Sequence, residues 1–342
     1  MNLRTSDFDY FLPPECIAQT PAVPRDASRL LVLSRQDGQI AHRRFREIGD
    51  YLSPGDLLVL NQTRVIPARL YAHKIPTGGR VEVLLLRRED AQTWEAMVGG
   101  KRVLKGTQLQ VLGGPQAEVI AVLDGARRRI RFAEPVEGHF SQAGHVPLPP
   151  YINAPLDDPE RYQTVYARLP GSVAAPTAGL HFTPQLLADL QTNGVRTAFV
   201  TLHVGLDTFA PVTEDTPGEH KIHTEWCQLG EETAALINET RRNGGRIVAV
   251  GTTSVRTLES AARLAAPEDA VAPFEGATDL FILPGYTFRV VDRMVTNFHL
   301  PKSTLVMLVS AFAGRERILQ TYALAVREGY RFYSFGDAML IL

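Results

Sequence analysis

The chain has 342 residues, 44% hydrophobic and 21% charged, with a net charge of −1. That balance belongs to a globular protein with a sizeable core and excludes a molecule that is basic throughout. Cys16 and Cys227 are the only cysteines, which excludes a disulfide scaffold and a cysteine-rich metal site. The first twenty residues, MNLRTSDFDYFLPPECIAQT, lack the apolar stretch of a secretory signal. The best apolar run, Thr304 to Ala313, is shorter than the roughly 18–20 residues that span a bilayer. The expectation is a cytoplasmic chain with no membrane contact.

In chain order, Arg29 to Ser34 reads as a short strand, and Asp56 to Asn61 as another after the Ser53-Pro54-Gly55 turn. The character then changes. Arg80 to Leu86, Thr93 to Val98, Gln108 to Leu112, Ala117 to Leu123 and Arg128 to Phe132 are short β-like segments. Thr77-Gly78-Gly79, Gly99-Gly100, Gly113-Gly114-Pro115 and Asp124-Gly125 separate them. Short strands with glycine punctuation and no helical stretch predict a compact, barrel-like β domain. The proline-heavy stretch from Val146 to Pro159 leads out of it.

After Tyr162 the pattern is α/β. Thr183 to Asn193 reads as a helix with Thr183 as N-cap and Pro184 at its first position; Gly194 closes it and Arg196 to His203 follows as a strand. Cys227 to Gly244 contains a further helix, Arg246 to Gly251 is an apolar strand, and Ser254 to Ala265 is a helix. Phe281 to Leu283 and Phe288 to Val291 read as strands, and Ser303 to Ala313 and Glu316 to Glu328 as helices. The alternation predicts an α/β fold with a large, mainly parallel, three-layer sheet domain. It is expected to be discontinuous, residues 1–60 with 151–342, around an inserted β-barrel-like domain at 61–150.

Charge is unevenly spread. From Asn61 to Pro150 there are thirteen Lys plus Arg and eight Asp plus Glu, a net +5 that leaves −6 elsewhere. Lys101, Arg102, Lys105, Arg127, Arg128, Arg129 and Arg131 fall in that stretch. Such clusters suit a phosphate backbone and equally the wet face of a small β domain.

Several segments carry candidate chemistry. Val248 to Glu259, VAVGTTSVRTLE, runs from strand through a small polar turn into a helix, whose free N–H groups can hold a carboxylate or phosphate. Thr252, Thr253 and Ser254 supply hydroxyls there, and Arg256 a bidentate donor; alternatively Thr253 or Ser254 only caps the helix and Arg256 faces water. No GxGxxG and no GxxxxGKS/T occurs, which argues against a dinucleotide or P-loop enzyme. Gly171 to Thr183, GSVAAPTAGLHFT, lets backbone approach a ligand closely, with Gly179 inside it and His181 at its end as acid, base or core hydrogen-bond partner. His203 lies near a strand end, where α/β sites collect. His299, in Asn297-Phe298-His299-Leu300-Pro301-Lys302-Ser303-Thr304, sits in another polar turn before an apolar helix. His220 and His223 have an inviting spacing but lack a third ligand, so no metal is expected. A GxSxG elbow is absent, which argues against a serine hydrolase.

At these segments the chain closely resembles the S-adenosylmethionine:tRNA ribosyltransferase-isomerase family of queuosine biosynthesis. The resemblance starts at Asp7-Phe8-Asp9-Tyr10 and runs through PGDLLV, NQTRVIPARL and HVPLPPYI. It is strongest in GSVAAPTAGLHFT, TLHVG, VAVGTTSVRTLES, TNFHLP, STLVMLVSAFAG and the terminal YRFYSFGDAM. These strings occur in the family's order over essentially the full length. The resemblance implies a large α/β domain with an inserted barrel-like one. It also implies a reaction on tRNA that carries 7-aminomethyl-7-deazaguanine at the wobble position of a GUN anticodon. The ribosyl part of S-adenosylmethionine, a co-substrate rather than a resident cofactor, is transferred and isomerised. Epoxyqueuosine-tRNA, adenine and methionine result.

For that chemistry His181, His203 and His299 are the candidate acids and bases. Gly179, Thr252, Thr253, Ser254 and Arg256 are the candidates for the donor. Asp7, Asp9, Tyr10 and Arg64, with the basic residues above, are candidates for tRNA, and a monomer is expected. Two departures stand out: Asp207-Thr208-Phe209 where many relatives have Gly-Thr-Phe, and a looser Val98-Gly99-Gly100-Lys101-Arg102. The rival readings are an S-adenosylmethionine-dependent methyltransferase, whose usual glycine-rich loop is missing, and a non-catalytic RNA-binding module, which would not need the small-residue segments.

Overall fold

The computed structural model describes residues 3–205, 212–222 and 224–342; Asp207 and His223 lie outside them. The chain forms two compact units. One comprises Met1–Arg64, Pro150–Leu169 and Ala175–Leu342, the other Val65–Pro149 and Pro170–Ala174. Among the described residues no helix is long and apolar enough to cross a membrane.

The larger unit begins with β1 (Arg29–Leu33), β2 (Ile40–Arg44) and β3 (Leu57–Asn61), after which β4 (Thr63–Val65) leads out. The smaller unit holds β5 (Arg69–Ile75), β6 (Arg80–Arg88), β7 (Thr93–Gly99), β8 (Gln108–Val111), β9 (Gln116–Val122), β10 (Arg127–Phe132), α1 (Phe140–Ala143) and β11 (Gly144–His145). After β12 (Leu169–Ser172) come α2 (Pro184–Thr192), β13 (Arg196–Leu202), β14 (Glu225–Leu229), α3 (Glu231–Arg242), β15 (Ile247–Val250) and α4 (Thr252–Ala262). The chain closes with β16 (Phe274–Thr278), β17 (Arg293–Asn297), α5 (Thr304–Ala313), α6 (Arg315–Arg327) and β18 (Ala338–Ile341).

The smaller unit is a closed antiparallel barrel in the order β5-β6-β7-β10-β9-β8, with β8 returning to β5. Closure leaves no open edge. Val83, Leu85, Ala96, Val98, Leu109, Val119, Ile130 and Phe132 fill its interior, while the alternate residues of each strand turn outward.

The larger unit is built on a nine-stranded sheet ordered β16-β14-β13-β3-β15-β17-β18-β1-β2. Both faces are covered, so β15 is apolar at every position and β3 at all but its last, Asn61. Leu58, Leu60, Val248 and Val250 pack with Phe45, Phe182 and Leu186 on one face. Leu57, Val59, Ile247 and Ala249 pack with Val255, Leu258 and Met307 on the other. Each such side chain contributes about 1.5–3 kcal/mol by leaving water.

The sheet differs from the mainly parallel one expected. β13, β3, β15 and β17 are mutually parallel, as are β18 and β1, but β17–β18, β1–β2, β13–β14 and β14–β16 are antiparallel. A tight return joins β1 to β2, where helix alternation alone suggests crossovers. The apolar segments Phe281–Leu283 and Phe288–Val291 are also not strands. The amides of Arg289, Val290 and Val291 donate at 2.9, 3.1 and 3.1 Å to the buried carboxylate of Glu259, which stands in for a ladder. Helix α2 follows its sequence signals: Thr183 Oγ accepts from the Leu186 amide at 3.1 Å.

Candidate active site

Four parallel strands end at one edge of the sheet, which brings together residues far apart in sequence. Open α/β sheets characteristically bind ligands outside the carboxyl ends of such strands. Asn61, at the end of β3, locks two of these ends. Its Oδ1 accepts from the Leu202 and Thr63 amides, both at 3.1 Å, and its Nδ2 donates to the Leu202 carbonyl at 2.9 Å. Next in the sheet, Gly251 ends β15 with φ +86, which favours glycine, and its amide donates to the Val295 carbonyl at 2.8 Å.

Outside this edge lies a cleft of about 630 Å³, open solvent included. Thr177 and Ala178 form part of it, with Val204, Gly251, Thr252 and Thr253, the Thr296–Leu300 segment that ends and follows β17, and Tyr151, Tyr333 and Ser334.

Helix α4 starts at Thr252 with Gly251 as its cap, two residues earlier than expected. Thr252 and Thr253 line the cleft. Thr253 Oγ1 is buried without a hydrogen-bond partner, and an unpaired buried hydroxyl costs about 1–3 kcal/mol until something satisfies it. Ser254 turns away, its hydroxyl donating to the Val250 carbonyl at 2.8 Å.

Arg256 neither faces water nor lines the cleft. It is buried, ion-paired with Glu225, and donates to the carbonyls of Leu280 and Thr278 at 3.1 and 3.3 Å. Glu225 in turn accepts from the Gly205 amide at 2.9 Å, so this pair fastens the end of the TLHVG segment. Helix periodicity reports a face, and this partner is 31 residues away. Gly179 is a packing position: an added Cβ would lie 2.0 Å from the Tyr166 hydroxyl.

The three histidines occupy different places. His299 is the imidazole that lines the cleft among the described residues. Its Nε2 and Thr296 Oγ1 are 2.8 Å apart, and its carbonyl accepts from the Tyr10 hydroxyl. Burial pushes it down to about 3, so it is neutral at pH 7. His181 sits one residue behind the wall. Asn297 Nδ2 donates to its Nε2 at 3.1 Å, which leaves the proton on Nδ1, 2.8 Å from Ser28 Oγ. Burial, then the charges of Arg331 and Arg25, push it down to about 3. Thr177 Oγ1 donates to Asn297 Oδ1 at 2.9 Å, so a chain of hydrogen bonds runs from His181 to the cleft. His203 stacks on Trp226 with centroids 5.1 Å apart and meets Thr63 Oγ1 at 2.8 Å; burial lowers it.

Tyr10 is partly buried against His299, edge-on to Tyr322. Asp7 pairs with Arg315 at 3.2 Å and Asp9 with Lys302 at 2.8 Å, while half-exposed Arg64 pairs with Glu160. In the barrel unit, Lys101, Arg102, Lys105 and Arg131 are exposed. Arg127 pairs with Glu95 at 3.3 Å, Arg129 with Glu89 at 2.6 Å, and Arg128 donates to the Val103 carbonyl at 3.0 Å. His220 meets Glu214 at 2.8 Å, and no group of three metal-ligating side chains occurs among the described residues. Asn297, Thr177, Tyr151 and Tyr333 were not singled out by sequence. Asn297, Thr177 and Tyr333 lie in the TNFHLP, GSVAAPTAGLHFT and YRFYSFGDAM strings, which was the available signal.

Fold and cleft define an α/β protein with a candidate site at the carboxyl edge of a mixed sheet. The chain belongs to the queuosine biosynthesis protein family, whose model matches residues 5–341. It is 52% identical to a protein of Acetivibrio thermocellus and 54% identical to one of Symbiobacterium thermophilum, in each case over 99% of this chain and 100% of the relative. Both relatives are named S-adenosylmethionine:tRNA ribosyltransferase-isomerase. The crystal structure of the S-adenosylmethionine tRNA ribosyltransferase from Thermotoga maritima is also similar, with TM-score 0.58 and 44% identity over 98% of this chain and 100% of that one.

The depressed histidines set an acid limit. The unfolded chain takes up protons near pH 6.5 and the folded one near 3, so stability falls as pH drops through that window, by about 1.4 kcal/mol per pH unit for each such histidine. His181→Gln removes one of them. At pH 7 the variant is the less stable, and urea unfolding should show the gap narrowing steadily towards pH 4. A gap independent of pH would contradict the assigned state of His181.

Proposed function

We propose that this chain transfers and isomerises the ribosyl part of S-adenosylmethionine onto 7-aminomethyl-7-deazaguanine at the wobble position of tRNA, releasing adenine and methionine. The observation that carries the reading, beside family membership, is convergence. Segments of GSVAAPTAGLHFT, TLHVG, VAVGTTSVRTLES, TNFHLP and YRFYSFGDAM, spread over nearly half the chain, meet at one cleft. The reading, which follows the family resemblance, includes a cytoplasmic monomer acting on tRNA with a GUN anticodon; the cleft is lined by residues of a single unit of the chain.

In this reading the start of α4 holds a polar end of the donor, its carboxylate or ribose hydroxyls. Free amides of the first turn and Thr253 Oγ1 supply the hydrogen bonds. The sulfonium acidifies the neighbouring 5′ carbon, and adenine must be neutralised as it leaves. His299, neutral and in the wall, supplies a hydrogen bond to the departing base. His181 positions: through Asn297 it orients Thr177. His203 stands beside cleft-lining Val204 as the remaining proton acceptor. Lys101, Arg102, Lys105 and Arg131 are the barrel cations exposed enough to meet phosphate.

Product analysis tests the reaction. With S-adenosylmethionine and tRNA bearing the aminomethyl base, free adenine and epoxyqueuosine nucleoside should rise together. Methylated nucleoside with S-adenosylhomocysteine would instead identify a methyltransferase. Thr253→Val tests the cleft. Removing an unpaired hydroxyl should leave urea stability unchanged or higher, while calorimetry shows S-adenosylmethionine binding about 5- to 10-fold weaker. Unchanged donor binding would remove Thr253 from the site.

A further inference from the structure

A cleft that receives a sulfonium needs something to hold positive charge. Among the described residues lining it, none carries a carboxylate. It offers aromatic rings instead. Tyr151 and Tyr333 lie with centroids 4.6 Å apart and planes tilted by 35°.

Each ring is held in place by hydrogen bonds of its own residue. The Tyr151 hydroxyl meets Ser334 Oγ at 2.7 Å, and the Tyr151 carbonyl accepts from Gln19 Nε2 at 2.9 Å. Tyr333 has φ +69, a conformation that a bulky side chain adopts only when its surroundings impose it. Its amide donates to the Phe298 carbonyl at 3.1 Å, and its carbonyl accepts from the Gly336 amide at 3.0 Å. Gly336 admits no side chain, because a Cβ there would lie 2.5 Å from the Arg331 carbonyl oxygen. The Tyr333 hydroxyl has no partner, so backbone geometry, not a hydroxyl contact, fixes this ring in the cleft wall. Aromatic faces carry negative potential and attract cations, most strongly where water is excluded.

Resting on the reading of the cleft as the donor site, we propose that the rings of Tyr151 and Tyr333 recognise the sulfonium. They would thereby select the charged S-adenosylmethionine over its neutral thioether analogue, S-adenosylhomocysteine. The selection comes from ring faces rather than from an ion pair. It concerns binding, so no bond is made or broken in this step.

The test is the ratio of the two affinities, measured by calorimetry on the full chain with saturating unmodified tRNA present. The wild-type chain should bind S-adenosylmethionine about 5- to 30-fold more tightly than S-adenosylhomocysteine. Tyr333→Leu and Tyr151→Leu should each pull the ratio towards one, while Tyr333→Phe and Tyr151→Phe keep it. Trifluorinated phenylalanine at position 333 preserves shape but weakens the negative face, so it should lower the ratio relative to Tyr333→Phe even if the leucine variants fail to fold. A wild-type ratio near one, or a ratio insensitive to fluorination, would overturn the proposal. Adenine release from the same wild-type preparation separates the failures. Release with an insensitive ratio leaves the reaction standing and removes only this recognition; neither release nor donor binding removes both.

Discussion

The parallel pairing of β15 with β3 on one side and β17 on the other is the constraint on which the site depends. It sets Val250 beside Leu60 and Val295, so that the chain leaves all three strands at the same edge. Gly251 completes the arrangement: its amide continues the ladder to Val295 while its positive φ turns the chain at once into α4. A residue with a side chain would resist that turn. The first turn of α4 and the Thr296–His299 segment at the end of β17 therefore line the same cleft.

A second feature is where the charges are. Glu225 and Arg256 neutralise each other beneath the cleft, and Glu259 is satisfied by backbone amides at the other end of α4. Burial keeps His299 and His181 neutral. The described walls thus present hydroxyls, amides, rings and one neutral imidazole. A cationic sulfonium and a carboxylate entering such surroundings would meet fixed dipoles, with no formal charge among the described lining residues.

Much of the fold was legible from local signals, because local physics sets those features. Thr183 and Pro184 mark the start of α2 through capping, and glycine-separated short strands mark the barrel. Strand direction was less legible: both strand directions use the same apolar alternation, and β17–β18 is antiparallel although α5 and α6 intervene. The site divided similarly. Thr253 and His299 line the cleft, as their place in polar turns suggested. Arg256, Ser254, Gly179 and Tyr10 instead serve packing and internal pairing. The Ser254 partner, Val250, is four residues earlier, whereas Glu225, Tyr166 and His299 are selected by tertiary contacts; Tyr10 and His299 are 289 residues apart. Tyr333 was missed because its significance lies in a backbone conformation that residue type does not announce.

The central claim is that the donor occupies the carboxyl-edge cleft, between the start of α4 and the Thr296–His299 segment at the end of β17. A crystal structure of the chain soaked with S-adenosylmethionine tests it directly. The account predicts density there, with a polar group of the donor within hydrogen-bond distance of Thr253 Oγ1 and the remainder against His299 and Tyr333. Donor density elsewhere, with this cleft empty, would contradict it.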